Sequence, residues 1–462
     1  MERSQPLPSS STSSSSPIPS SLPPPPPPPP PRHPSRSRGV GGATELRHVV
    51  FGIASSSLSF IARKEYIRLW WRPGCFVFLE KSLNSSGGDE NLPTVVVSDA
   101  SSRFPFTFKY GLRSAVRVAR IVKEVVETLG RGKGLRHGDV KWIVLCDDDT
   151  LFFTENLIKT LGKYDWEQWY YIGGLSESVE QNSKNSFGMA FGGAGFAISY
   201  PLARVLSKVL DSCLMRYGHL YGSDARVFAC LAELGVGLTH EPGFHQVDLR
   251  GDLFGMLNAH PLAPPVSLHH LDTVDPLYPG KNRLEGLKHL FEAIDADPGR
   301  VFQQIICYDN SNLLTVSVSW GYAVQVYEGN LLLPDLLSLQ RTFTPWRRRH
   351  YSTSDILYMF NTREFPRDPC KRPAVFFLDK VLCSNDRVES SYKRNISGNC
   401  QQTEGPSKYL QKISVSSEKL DVQIRQLLAP RRHCCDVLAS SEKMMEINIR
   451  QCKDDELIAM KP

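Results

Sequence analysis

The chain has 462 residues, 41% hydrophobic and 22% charged, so it can bury a core, and a wholly disordered protein is excluded. At ~150 residues per domain the length corresponds to about three domains. The formal charge is only +6, and the one dense basic run, Arg347 to His350, is short enough to be a solvated turn, so no nucleic-acid partner is expected.

Residues 1–45 are rich in Ser and Pro and include nine consecutive prolines, Pro23 to Pro31. Such a segment cannot offset the entropy of ordering and reads as a disordered polyproline linker. It lacks the apolar stretch of a secretory signal. No window of about eighteen apolar residues anywhere suggests a membrane-spanning helix.

Globular patterning starts at His48. His48 to Ala54 reads as a buried strand, Phe60 to Trp71 as a helix and Thr94 to Val97 as a second strand, while Arg113 to Leu129 has apolar residues at helical spacing. Trp142 to Cys146 is a third, apolar strand that runs into Asp147-Asp148-Asp149. This alternation predicts an α/β fold with a mostly parallel sheet buried on both faces. Ligands bind such sheets outside the carboxyl ends of the strands, where Ser55, Asp99 and the triple Asp fall. A helix from Thr154 to Leu161, the run Gly192-Gly193-Ala194-Gly195, a strand from Phe196 to Ser199 and a helix opening at Pro201 follow. Residues 313–328 alternate like an antiparallel strand pair. With Ala374 to Leu378 and Met445 to Ile449 they predict a β-rich carboxyl-terminal domain, 281–462, after an α/β domain, 46–280. Cys370, Cys383, Cys400, Cys434, Cys435 and Cys452 crowd that last part without paired CxxC spacing, which predicts disulfides made in an oxidising compartment. Sequons at Asn84 and Asn395 are compatible with a secretory lumen.

The triple Asp is the sharpest chemical feature. Three adjacent carboxylates repel one another, and hard oxygen ligands suit Mn²⁺ or Mg²⁺. A solvated acidic loop, or a helix cap using Asp149 or Thr150, is the structural alternative. A cation at that edge would neutralise the diphosphate leaving a nucleotide-sugar. His245, in Gly243-Phe244-His245-Gln246, is a candidate second ligand, against a hydrogen-bonded interior histidine. Asp224, in Tyr221-Gly222-Ser223-Asp224, is a candidate general base, against a plain helix N-cap. The glycines around Gly193 would let a sugar or pyrophosphate approach the backbone. His269-His270 is set aside as structural, because adjacent side chains diverge in an extended segment.

Together the blocks Trp142 to Thr150, Phe191 to Ser199, Leu220 to Asp224, Gly243 to Asp248 and Ser267 to Asp272 resemble the fringe-type β-1,3-glycosyltransferases, most closely the plant fringe-related family of glycosyltransferase-like proteins. The resemblance implies a GT-A-like nucleotide-sugar-binding domain over 46–280. It also implies inverting transfer of a hexose or N-acetylhexosamine from a UDP-sugar to a hydroxyl of a glycan or glycoprotein. In that pattern Arg63 and Asp148 contact the donor, Asp149 and His245 hold the metal, and Asp224 is the catalytic base. Asp99 is a further donor-site candidate. Two departures stand out: Ser223 replaces an acid before Asp224, and Val247 replaces a second histidine of the metal motif. The family's Golgi or secretory-lumen location is expected, although the usual membrane anchor is not recognisable here. The rivals are a non-catalytic carbohydrate-binding or scaffolding protein on a transferase fold, and a metal-dependent nucleotidyltransferase.

Overall fold

The structure, a computed structural model, describes residues 43–83, 91–132, 139–259, 262–347, 357–384, 386–396, 405–441 and 443–460. Most of the Ser/Pro-rich segment, the sequon at Asn84 and Cys400 lie outside these residues.

The apolar strand Val49–Ala54 is buried along its whole length and stands near the centre of a seven-stranded sheet. The strand order is Thr94–Val97, Cys75–Leu79, Val49–Ala54, Trp142–Asp147, Phe196–Ser199, Tyr171–Gly173, Leu238–His240. The first four strands run parallel, Phe196–Ser199 is antiparallel to both its neighbours, and the last pair is parallel again. The sheet is therefore mostly parallel, as expected. Alternate side chains feed two different cores. Val49, Phe51, Ile53, Trp142 and Val144 enter one, while Val50, Ala54, Ile143 and Leu145 enter the other. Each such burial stabilises the fold by on the order of 2 kcal/mol.

Two local expectations are corrected. The apolar run Cys75 to Leu79, not anticipated as a strand, pairs directly with Val49–Ala54 and moves Thr94–Val97 to the sheet edge. The helical stretch after Arg113 is two helices, Ser114–Ala119 and Ile121–Gly130, separated at Arg120. The Arg120 guanidinium is buried and donates to Asp211 at 2.9 Å, which anchors the break.

The carboxyl-terminal part is β-rich. Its eight-stranded sheet runs Gln304–Asp309, Leu314–Ser319, Ala323–Glu328, Ala374–Ser384, Arg387–Asn395, Lys412–Glu418, Met444–Arg450, Cys434–Ser440. All its pairs are antiparallel except Lys412–Glu418 with Met444–Arg450. The disulfide Cys307–Cys435 ties the first strand to the last, with a Cα–Cα distance of 5.5 Å, so this sheet curls and brings its two edge strands together. Residues of this sheet, Val316, Val318 and Val324 among them, share a hydrophobic cluster with Phe51 and Trp142 of the first sheet. Residues 43–462 make one compact unit.

The cysteine expectation holds in part. Cys434–Cys452 and Cys307–Cys435 are disulfides, and Cys370 is also disulfide-bonded, but Cys383 is free and exposed. Cys213–Cys230 was not foreseen; it joins the helices Tyr200–Leu214 and Ser223–Glu233. Among the described residues no helix is long and apolar enough to cross a membrane.

Candidate active site

The strand Trp142–Asp147 delivers the triple Asp to the carboxyl edge of the first sheet, as the sequence predicts. Its parallel register with Val49–Ala54 sets Ala54 against Asp147, so the next residue, Ser55, meets Asp148, donating Oγ to Oδ2 at 2.6 Å. The helix Ser57–Trp70 follows directly and brings Arg63 over the acids. Arg63 donates to Asp148 at 2.9 Å and to Asp272 at 2.8 Å, and lies 3.2 Å from Asp149. Burial alone would lower the Arg63 pKa, but these three carboxylates outweigh it and raise it. Tyr66, one turn along, donates to the other oxygen of Asp272 at 2.7 Å.

The residue facing Asp149 is His269. The short strand Leu151–Phe152 pairs antiparallel with Ser267–Leu268, Leu151 opposite Leu268. Continuing that register by one pair sets His269 against Thr150, beside Asp149. His269 Nε2 lies 3.1 Å from Asp149 Oδ1 and 3.8 Å from Asp147 Oδ2. Ligand atoms of Asp147, Asp149 and His269 all lie within 4.8 Å of one another. Asp149 Oδ1 is buried and has no protein partner in hydrogen-bond geometry, although it is close to the imidazole. A buried carboxylate oxygen left over in this way, in a set of two carboxylates and one imidazole, fits a hard divalent cation such as Mn²⁺ or Mg²⁺. Burial tends to raise the Asp149 carboxyl, but His269 and then Arg63 hold it down at about 2. Enclosure and the neighbouring carboxylates push Asp147 up, with His269 opposing them, but its side chain is 42% exposed and water offsets part of that rise.

The structure does not bring His245 into this group. Phe244–His245 pairs with Ser267–Leu268 on the side away from Leu151–Phe152, and His245 is not among the residues whose ligand atoms gather at Asp149. Its Nδ1 is 2.9 Å from Glu177, whose other oxygen accepts from the Val247 amide at 2.7 Å. The side chains of His269 and His270 do not diverge as expected, and His269 lies against the acids. His270 adopts a left-handed conformation, φ 57°, which breaks the alternation of an extended chain and stacks the two rings with centroids 3.8 Å apart. The other neighbour of His270 is Trp346, parallel within 9° at 4.3 Å, and the Arg250 guanidinium covers the far face of that indole at 4.4 Å. Trp346 arrives from the carboxyl-terminal part because Phe343–Pro345 pairs with Leu249–Gly251. Neither it nor Asp272 was singled out for a role from the sequence.

Asp224 lies across the glycine run from this cluster. Gly222 is the N-cap of Ser223–Glu233 and Asp224 is inside the first turn with no side-chain cap bond, so the plain capping alternative is not what the structure contains. Its carboxylate accepts from Gly192 N at 3.2 Å and Ala225 N at 2.9 Å. Burial raises its pKa above the ordinary carboxylate value, while those amides act in the opposite direction. Asp147 and Asp224 line one cavity of about 20 Å³, room for a single water.

Gly193 is required by His269 itself. A Cβ at 193 would stand 2.1 Å from the His269 ring, so the glycine admits the imidazole where a sugar or pyrophosphate was expected. Gly193→Ala should displace His269 and cost about 1–3 kcal/mol of stability. Thermal melting and Mn²⁺ titration of the variant check this. Asp99 is not brought in. It ends the edge strand, three strands or about 14 Å from Trp142–Asp147, is 61% exposed in its side chain and lies 3.6 Å from Arg120.

The profile of one family, described as "Protein of unknown function, DUF604", matches residues 181–435, more than half of the chain. The chain belongs to the DUF604 family. The DUF604 match takes in Gly193, Asp224, His245, His269 and Asp272, while the triple Asp lies before it. A β-1,3-glucosyltransferase of Mus musculus is 31% identical over 149 residues, 30% of this chain and 27% of that protein. The chain thus spans about a quarter of the length of this curated relative. The crystal structure of a glycosyltransferase involved in the glycosylation of the major capsid of PBCV-1 aligns over 52% of this chain and 99% of its own, at 10% identity and a TM-score of 0.25, a likeness too slight to argue from.

Proposed function

We propose that this DUF604 protein is an inverting, metal-dependent glycosyltransferase of fringe-like type. It moves a hexose or N-acetylhexosamine from a UDP-sugar to an acceptor hydroxyl of a glycan or glycoprotein, in β-1,3 linkage. The observation that supports this most is the pairing of two acid centres across one glycine loop. On one side stand Asp147, Asp149 and His269, fit for a divalent cation; on the other stands Asp224, with a raised pKa. The first three would hold the cation, which when bound neutralises the charge developing on the departing diphosphate. Arg63 orients Asp148 and Asp149 through its ion pairs with both. Asp224 takes the acceptor hydroxyl proton as that oxygen bonds to the sugar C1 and the C1–O bond to the diphosphate breaks on the opposite face. One displacement inverts the anomeric centre, so no covalent intermediate is needed. The disulfides support folding in a secretory compartment, in keeping with the Golgi expectation. The test is a screen of UDP-sugars for UDP release with Mn²⁺; a pure binding protein releases none, and a nucleotidyltransferase turns over pyrophosphate instead.

A further inference from the structure

A cavity of about 230 Å³ lies in the carboxyl-terminal part, where the strand Gln304–Asp309 meets the segment leading into Cys434–Ser440. At ~30 Å³ per water it has room for about seven waters. None of Asp147, Asp149, Asp224 and His269 lines it. Leu262, Ile305, Val422 and Leu427 give it an apolar wall. Arg431, Arg432 and His433 line it as well, against a single acid, Asp454.

Arg432 is half-buried and its charge is unmatched. It makes no ion pair among the described residues, and burial alone lowers its pKa. Only Nη1 of its guanidinium is engaged, donating to Gln304 O at 3.0 Å and Gln304 Oε1 at 3.3 Å. Gln304 is buried, and its amide nitrogen is committed to Ser317 Oγ at 3.2 Å and Leu336 O at 2.9 Å, which fixes its Oε1 toward Arg432. Nε and Nη2 remain, the edge of a guanidinium that gives two parallel bonds to a carboxylate or phosphate. His433 adds a neutral donor. Arg300 donates to its Nδ1 at 2.8 Å, and an arginine can only donate, so the ring proton sits on Nε2, which has no hydrogen-bond partner among the described residues. Burial, and then Arg300, hold the His433 pKa down at about 4, so the ring is neutral at neutral pH. The charge of Arg300 itself is matched by Asp297 at 3.0 Å. The disulfides Cys434–Cys452 and Cys307–Cys435 anchor the chain directly after His433, so this arrangement is held before any ligand arrives. A cation drawn out of water without a counter-ion is unfavourable until an anion joins it.

We infer that this cavity is a second ligand site, one for a small organic anion, with a carboxylate or phosphate head on the free edge of Arg432 and an apolar body against Leu262, Val422 and Leu427. The site stands apart from the transferase reading and can be tested without turnover. The probes are benzoate and phenyl phosphate, with benzamide as a neutral counterpart and inorganic phosphate and chloride as anions without a body. They are added to the full chain and followed by saturation-transfer NMR and competition. EDTA is present throughout, so that no cation at Asp147, Asp149 and His269 draws the phosphate. At least one aromatic anion should bind, about tenfold or more tightly than benzamide, because the neutral head forgoes the charge-assisted bonds. The tighter of the two identifies the head group as carboxylate or phosphate. Arg432→Met keeps the stem without the fork and should weaken that binding by about tenfold or more. Leu427→Trp places an indole in the cavity from the helix Ile424–Leu428, leaves the bonds from Arg432 to Gln304 in place, and should abolish binding. It carries the test should Arg432→Met not fold. The inference is overturned if neither aromatic anion binds, or if binding is indifferent to both variants. It is also overturned if chloride or inorganic phosphate binds as tightly as the aromatic anions, which would make the cavity a counter-ion site only.

Discussion

Asp224→Asn should lower kcat by about 10²- to 10⁴-fold, the usual worth of a positioned general base. Asparagine keeps the shape of the side chain and can still accept one amide, from Ala225 or from Gly192. The lost second bond costs about 1 kcal/mol, too little to unfold the chain. What asparagine cannot do is take a proton at neutral pH. Donor affinity should stay within about twofold, because the Asp224 carboxylate is bonded to Gly192 and Ala225 and is not among the groups fit to hold the cation. Loss of kcat with preserved donor binding marks an interaction made mainly in the transition state. A variant with wild-type kcat would show that the raised carboxyl of Asp224 belongs to the helix turn alone.

His269→Ala should weaken Mn²⁺-dependent UDP binding by about 100-fold or more, since even residues one step removed from a metal are worth 10- to 100-fold. The substitution removes the imidazole at 3.1 Å from Asp149 and the leading influence that keeps that carboxylate ionised. His245→Ala should behave differently. It strands a buried Glu177 oxygen, so it should cost about 1–3 kcal/mol of stability while leaving metal-dependent UDP affinity close to normal. Calorimetry and thermal melting on both variants separate the two histidines. An exchange of these outcomes would return His245 to the metal.

The legible parts of this molecule are those where one local rule acts alone. Val49–Ala54 and Trp142–Asp147 are apolar on both faces, so a buried parallel strand was the natural reading, and the acids had to fall at its carboxyl edge. Leu314–Ser319 and Ala323–Glu328 alternate, and they pair antiparallel. The choice between His245 and His269 depended on something local reading lacks. It turns on which of two short strands pairs with Leu151–Phe152, and on a single left-handed residue, His270, that puts two consecutive rings on one side. A non-glycine residue with positive φ leaves no clear mark in sequence. Trp346 was invisible for a related reason: 76 residues separate it from His270, and only the pairing of Phe343–Pro345 with Leu249–Gly251 joins them. Cys75–Leu79 is different, because its five apolar residues were plain to see. Their omission misplaced Asp99, which one extra strand carries to the edge of the sheet.

The central claim is that the Asp147–Asp149–His269 cluster and Asp224 together break the bond between a sugar and UDP. UDP release by the full wild-type chain, measured across a panel of UDP-hexoses and UDP-N-acetylhexosamines with Mn²⁺ and again with excess EDTA, tests it most directly. At least one donor should release UDP with Mn²⁺, slowly to water and faster with an acceptor glycoside, and EDTA should abolish the release. No release from any donor, or release that EDTA leaves untouched, would contradict it.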